Sequence, residues 1–124
     1  MSFAKPLTAV EGVTAHGDGF RCARTVRADD PYLGGHFPGN PVFPGVFTVE
    51  TVYQAARAAA GGEVVLVGVR SARFTSPVVA GDTLTVDFTL APEDDRIAVD
   101  ARCHVEGLDT ARVRLHLGRE AASA

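Results

Sequence analysis

The spacing of apolar residues changes from one part of the chain to the next. Alternating apolar and polar positions predict two strands over residues 7–15 and 20–28, joined by a Gly-Asp-Gly turn at residues 17–19. The same alternation returns in the second half of the chain and predicts four more strands. These cover residues 64–74, 83–90, 97–105 and 110–117.

Between these two groups the spacing becomes helical. From Gly45 onward, apolar residues recur every three or four positions at Val46, Val49 and Tyr53, and most positions between them are also apolar. A helix that is apolar on most sides is expected to be buried, and the glycine pair at residues 61–62 ends it.

The predicted order is two strands, a loop, a buried helix and a four-strand meander. One helix among antiparallel strands is an α+β plan, in which the sheet wraps around the helix as in the hotdog fold. A length of 124 residues suits one such domain, spanning residues 1–124.

Composition and charge exclude several classes of function. The formal net charge of −3 gives no reason to expect binding to nucleic acid or to an anionic membrane. No apolar run approaches the ~20 residues of a membrane span, and residues 1–10 lack a long apolar signal core, so we expect a cytoplasmic protein. Cys22 and Cys103 are the only cysteines, and their wide separation fits reduced structural thiols.

A loop dense in glycine and proline precedes the helix, over residues 34–44, and contains His36. Such a loop is expected to be rigid, and a rigid backbone gives a catalytic base the positioning it needs. An unperturbed imidazole has a pKa of about 6.5 and takes up a proton near neutral pH. The alternative is a loop histidine that forms a structural hydrogen bond.

Two positions on the helix also carry candidate chemistry. Glu50 is the only charged residue between Phe37 and Ala56. A carboxyl group shielded from water favours its protonated form, which is a general acid, although Glu50 could instead lie on an exposed helix face. Gly45 opens the helix, where the amide lacks an internal partner and a carbonyl oxygen can approach closely, although a tight turn would also require glycine.

The stretch GHFPGNPVFPGV at residues 35–46, with Glu50 and Gln54, resembles the 3-hydroxyacyl-[acyl carrier protein] dehydratases of type II fatty acid synthesis. The fourteen-residue interval from His36 to Glu50 is that of the family. A second block, with ARF, PV and GDTL between residues 72 and 84, resembles the same family. The resemblance extends over residues 32–117.

The resemblance implies a role for each candidate. His36 would remove the α-proton, Glu50 would protonate the departing 3-hydroxyl group or order a water that does so, and the Gly45 amide would stabilise the developing enolate. No metal or cofactor is implied. The family combines the histidine of one subunit with the glutamate of the other, so a homodimer is expected.

The substrate would reach the site on the phosphopantetheine arm of an acidic acyl carrier protein. Arg70 and Arg73 are candidate carrier contacts, although each could be an ordinary solvated arginine. The acyl chain needs a narrow apolar tunnel, and each candidate for its lining could equally belong to the core. The candidate lining residues are Val42, Phe43, Val46, Phe47 and Phe74.

The chain is expected to depart from the family pattern in two places. Thr75 and Ser76 stand where the family usually has basic residues, and we expect the extended N-terminal segment of the fatty acid enzymes to be absent. Fatty acid, polyketide and polyene pathways therefore stay open. A hotdog thioesterase, an enoyl isomerase and a non-catalytic subunit that pairs with another dehydratase are the alternative functions.

Replacement of His36 by alanine should abolish turnover of a 3-hydroxyacyl thioester, because the α-proton would have no base to receive it. Enoyl absorbance measures the turnover, and an unchanged thermal unfolding curve shows that the fold is intact. Near-normal activity of the folded variant would remove His36 from the mechanism.

Overall fold

The structure, a computed structural model, describes residues 11–27 and 45–119. These residues form one helix, α1 (Gly45–Ala59), and a single antiparallel sheet in the strand order β1-β2-β4-β5-β6-β3. The strands are β1 (Glu11–His16), β2 (Gly19–Thr25), β3 (Val64–Phe74), β4 (Thr83–Glu93), β5 (Arg96–Val105) and β6 (Leu108–Arg119). The α+β hotdog prediction is confirmed, whereas a single domain over residues 1–124 stays a prediction.

The predicted four-strand meander is wrong at β3. This strand pairs with β6 at one edge of the sheet, and β4 lies between β2 and β5. The connection from β3 to β4 has eight residues, 75–82, whereas a tight hairpin uses about two to five. Alternation of apolar residues shows which face of a strand is buried but leaves its neighbours unspecified, and this is why the crossover was missed.

Two strands, β4 and β6, extend at least two residues beyond their predicted bounds. β4 continues through Pro92 to Glu93, because at that point it has run past the end of β2 and pairs only with β5. Such an edge position accepts a residue without an N–H group. β6 begins at Leu108, directly after a two-residue turn in which Glu106 and Gly107 both have positive φ angles of 50° and 85°. Positive φ at both turn residues is the geometry of a type I′ hairpin.

One side of α1 packs against the sheet. Its buried residues are Thr48, Thr51, Val52, Ala55 and Ala56. The side that faces away is less covered, and Val46 is 67% exposed. Burial of α1 is therefore one-sided within the described residues, although the sequence pattern is apolar on most sides. Within the same ranges, no helix is long and apolar enough to cross a bilayer.

Cys22 and Cys103 are free thiols in the core, as predicted. Both are register partners of Val86 on β4, so one strand lies between them. Burial raises the pKa of the Cys22 thiol to about 11 and that of the Cys103 thiol to about 12. Because the thiolate is the reactive form, both thiols are unreactive at neutral pH.

A polar network on the opposite face of the sheet joins β2, β4 and β5 through Asp87. Arg21 donates hydrogen bonds to both carboxylate oxygens, with Nη2 2.9 Å from Oδ2. His104 Nε2 lies 2.9 Å from Oδ2 of the same carboxylate, and its side chain is nearly buried. The hydrogen bond from Arg21 holds the pKa of Asp87 well below its usual range.

Replacement of Asp87 by asparagine should lower the melting temperature by about 3–10 °C at pH 7, because the charged acceptor shared by Arg21 and His104 is lost. A carboxylate with a lowered pKa stabilises the fold above its unfolded pKa of about 4, and this contribution is lost as the pH falls. The difference between wild type and variant should therefore shrink between pH 5 and pH 2, as measured by thermal melts.

Asp109→Asn is a suitable control. Asp109 is exposed and pairs only with Arg102 among the described residues, so its removal should have little effect on stability. A difference for Asp87→Asn that stayed constant down to pH 2 would contradict the assigned role of the charge.

Candidate active site

A cavity of about 470 Å³ borders the first turn of α1. Gly45 and Thr48 form its helical wall, residues 74–78 form a second wall, and Thr110 and Ala111 at the start of β6 close a third side. The pairing of β3 with β6 brings these last two walls together, because Phe74 is the register partner of Ala111.

Gly45 is in close contact with the aromatic ring of Phe74. A Cβ atom at position 45 would lie 3.0 Å from Cζ and 3.2 Å from Cε1 and Cε2 of this ring. A side chain at residue 45 would therefore displace the Phe74 ring by a few tenths of an ångström. Because Gly45 has no side chain, the first amide groups of the helix, which lack internal partners, lie at the cavity wall.

Backbone hydrogen bonds fix the wall opposite the helix. The Thr110 carbonyl oxygen accepts from the Thr75 amide at 2.9 Å and from the Ser76 amide at 3.4 Å. The Asp82 side chain accepts a hydrogen bond from the Val79 amide at 2.9 Å and caps the turn that leads into β4. The segment between β3 and β4 is thus anchored at both ends.

Glu50 is half-buried on α1, and its Oε2 accepts a hydrogen bond from Nε2 of Gln54 at 3.0 Å. Helical geometry places Glu50 about 140° around the axis from Gly45 and about 160° from Thr48. Glu50 therefore lies on the side of the helix that faces away from the sheet, and it is not among the described residues that line the cavity. Within one subunit, the carboxyl group and the cavity lie on different sides of α1.

The structure separates the predicted tunnel residues. Phe74 lines the cavity, whereas Val46 is largely exposed and Phe47 is half-buried against the core. His36, Val42 and Phe43 lie outside the described residues. The catalytic and tunnel assignments all stay predictions.

Arg70 and Arg73, the predicted carrier contacts, are both exposed on β3. This strand forms one edge of the sheet among the described residues. Their position leaves them accessible to a partner, and contact with a carrier protein stays a prediction.

Two hydroxyl residues at the cavity were not singled out from the sequence. Thr48 follows Gly45 by almost one helical turn, so helix periodicity alone could have placed it on the same wall. Thr110 is distant in sequence, and only strand pairing brings it near the helix. Its buried Oγ1 has no hydrogen-bond partner within the described part of the chain.

Comparison with known protein families places this geometry in context. The profile of the ApeI-like family, described as ApeI dehydratase, matches residues 13–109. The chain belongs to the ApeI-like dehydratase family.

This ApeI-like dehydratase is also similar to enzymes named 3-hydroxyacyl-[acyl-carrier-protein] dehydratase FabZ. It is 37% identical to the one from Thermus thermophilus over 113 residues, which cover 84% of this chain and 80% of the relative. It is 38% identical to the one from Latilactobacillus sakei over 103 residues, which cover 76% of this chain and 74% of the relative.

Solved structures support the fold of this ApeI-like dehydratase. The dehydratase heterocomplex ApeI:P from Xenorhabdus doucetiae matches with a TM-score of 0.76 and 17% identity, over 93% of this chain and 99% of that chain. The PaaI protein of Escherichia coli matches with a TM-score of 0.69 and 20% identity, over 86% and 81% of the two chains. At these identities the likeness shows the hotdog fold alone.

Replacement of Gly45 by alanine should lower kcat/KM at least about tenfold, because the new methyl group and the displaced Phe74 ring would narrow the cavity at the helix amide. The backbone at residue 45 does not have a positive φ, and alanine favours helix, so the melting temperature should change little.

Adding Phe74→Leu to the Gly45→Ala variant tests whether contact with the Phe74 ring causes the loss of kcat/KM. A shorter side chain at residue 74 should restore part of the activity of Gly45→Ala. Wild-type kinetics for the single variant, or a loss that the second change leaves untouched, would count against a functional contact between Gly45 and Phe74.

Proposed function

We propose that this ApeI-like dehydratase removes water from a 3-hydroxyacyl thioester carried by an acyl carrier protein and leaves the trans-2-enoyl thioester. The observation that carries the proposal is the glycine amide end of α1 at a cavity wall, in a chain whose residues 13–109 match ApeI dehydratase. The printed substrate of the Thermus thermophilus relative supports the choice of thioester.

In the proposed reaction, a ring nitrogen of His36 takes the proton from C2 of the acyl group. Negative charge then develops on the thioester oxygen, where the Gly45 amide and the positive end of the α1 dipole stabilise it. The bond from C3 to the hydroxyl oxygen breaks, Glu50 donates a proton to that oxygen, and water leaves. The electron pair from the C2–H bond becomes the new double bond between C2 and C3, so no oxidant or cofactor is needed.

The proposed active site is shared between two subunits. Glu50 lies on a different side of α1 from the cavity of its own chain, which fits a carboxyl group that acts where a partner subunit completes the site. The edge strand β3 exposes apolar side chains, with Leu66 38%, Val67 46% and Val69 48% exposed. A long apolar edge strand promotes association, so we propose a homodimer that is joined along β3.

Replacement of Glu50 by glutamine should lower kcat by about 10²–10⁴-fold, because the amide cannot donate an acidic proton. Mixing this variant with inactive His36→Ala protein should restore partial activity, since hybrid dimers would contain one site with both intact groups. Enoyl absorbance before and after subunit exchange measures the recovery.

The kinetics of Glu50→Gln and the mixing of the two variants test separate claims. A loss of less than threefold in Glu50→Gln would remove the residue from catalysis. Two inactive variants that exchange subunits, as verified by mass-tagged copies, and yet recover no activity would argue against the shared site.

The same assay separates the alternative functions when free thiol is followed together with enoyl absorbance. Thiol release without an enoyl signal would indicate a thioesterase, and a purified dimer that is inactive on every carrier-linked substrate would indicate a non-catalytic subunit. Substrates that vary in chain length and unsaturation would distinguish fatty acid from polyketide or polyene synthesis. We also propose that the protein is cytoplasmic, as the sequence leads us to expect.

A further inference from the structure

Two buried threonines line the cavity beside Gly45 on different walls. Thr48 lies on the helical wall, and Thr110 lies on the wall at the start of β6. The two residues are only 3% and 2% exposed. Buried hydroxyl groups are nearly always hydrogen-bonded in folded proteins, because an unpaired one has lost its water without a replacement. A hydroxyl without a partner at a cavity wall therefore points to a bound molecule.

Thr48 differs from Thr51, the other buried threonine of α1. The Thr51 hydroxyl donates a hydrogen bond to the Phe47 carbonyl oxygen at 2.8 Å. Such a bond to the preceding turn is common for threonine within a helix. The Thr48 hydroxyl forms no hydrogen bond within the described residues. Its proton is therefore available to an acceptor outside the helix.

Accessibility favours Thr48 over Thr110 as the residue that contacts a bound molecule. Thr110 Oγ1 is fully enclosed, and the Thr110 carbonyl oxygen anchors the cavity wall through the amides of residues 75 and 76. Thr48 Oγ1 also lacks a partner in the described part of the chain, but it is not fully enclosed. Because Thr48 lines the cavity, its oxygen reaches the cavity surface.

Helix geometry directs the Thr48 side chain toward the first turn of α1. Each Cα–Cβ bond of an α-helix tilts toward the N-terminus, so a side chain covers the turn before its own Cα atom. Thr48 follows Gly45 by three residues, which corresponds to about 60° around the axis and about 4.5 Å along it. The Thr48 hydroxyl and the free amide of Gly45 thus border the same part of the cavity.

We propose that the Thr48 hydroxyl is a second hydrogen-bond donor to the thioester oxygen, beside the Gly45 amide, an inference that rests on the proposed function. Negative charge on this oxygen grows as the C2 proton leaves, and two fixed donors stabilise it better than one. The hydroxyl keeps its proton throughout the reaction. Because the hydrogen bond strengthens as the charge develops, its loss should appear mainly in kcat.

Thr48→Val removes the hydroxyl and keeps the branched shape of the side chain. For a 3-hydroxyacyl thioester, kcat should fall about 10–100-fold, and KM should change less than about twofold. Thr48→Ser retains a hydroxyl and should keep kcat within about threefold of wild type. Thr48→Ala removes the same hydroxyl with a better helix former and should lose about as much kcat as the valine variant. Thermal melts check that each variant is folded.

Thr51→Val is the matched control. The same substitution on the same helix removes a hydroxyl that donates to a carbonyl oxygen of the helix, at a residue that does not line the cavity. Its kcat should stay within about twofold of wild type. Its melting temperature should fall more than that of Thr48→Val, because among the described residues only Thr51 loses a hydrogen bond.

Infrared spectra of the bound thioester test the hydrogen bond itself. His36→Ala protein is expected to hold the 3-hydroxyacyl thioester without turnover, and carbon-13 at the carbonyl marks its stretching band. A hydrogen bond to the carbonyl oxygen lowers the frequency of this band. The frequency should therefore be higher when Thr48→Val is added to His36→Ala, and it should not change when Thr51→Val is added instead.

Several results would overturn the role of Thr48. They are a kcat of Thr48→Val within twofold of wild type, an equal loss in Thr51→Val, a serine variant as slow as the valine variant, or identical carbonyl bands. A wild-type protein that converts no 3-hydroxyacyl thioester would instead refute the proposed function. In that event, the bands of the thioester bound to wild-type and Thr48→Val protein test the donor alone, and equal bands or an absence of binding would refute it.

Discussion

The one-sided burial of α1 against a single antiparallel sheet determines the positions of the candidate groups on the helix. The buried stripe begins with Thr48 and fixes the rotation of the helix about its axis. This rotation sets the first-turn glycine beside the end of β3, and it turns Glu50 toward the side without the sheet. Hydrophobic burial on one side of the helix thereby assigns the amide and the carboxyl group to different surfaces.

Elements with strong local signals were predictable from the sequence. The start of α1 at Gly45 and the bounds of β3 at residues 64 and 74 agree with the apolar spacing and with the glycines that follow the helix. The position of β3 beside β6 was not predictable in this way, because strand order depends on contacts between residues that are distant in sequence. Local alternation contains no information about such partners.

The functional groups likewise differ in whether local sequence or long-range contacts reveal them. Glu50 stands out in the sequence because no other charge occurs nearby, and it is half-buried within one subunit. The Asp87 network depends on the register of three strands, and single residues in those strands look like ordinary surface charges. Register is set by the whole sheet, so this network becomes visible only once the strands are aligned.

The placement of the two native cysteines has a practical consequence for labelling. Neighbouring strands are about 4.8 Å apart, so the Cα atoms of Cys22 and Cys103, on either side of β4, are separated by about 9.6 Å, beyond the ~7 Å that a disulfide can span. Air oxidation therefore cannot crosslink Cys22 to Cys103 within the fold. A fluorophore or spin probe attached through one engineered surface cysteine would report on that position alone, without prior removal of the natural thiols.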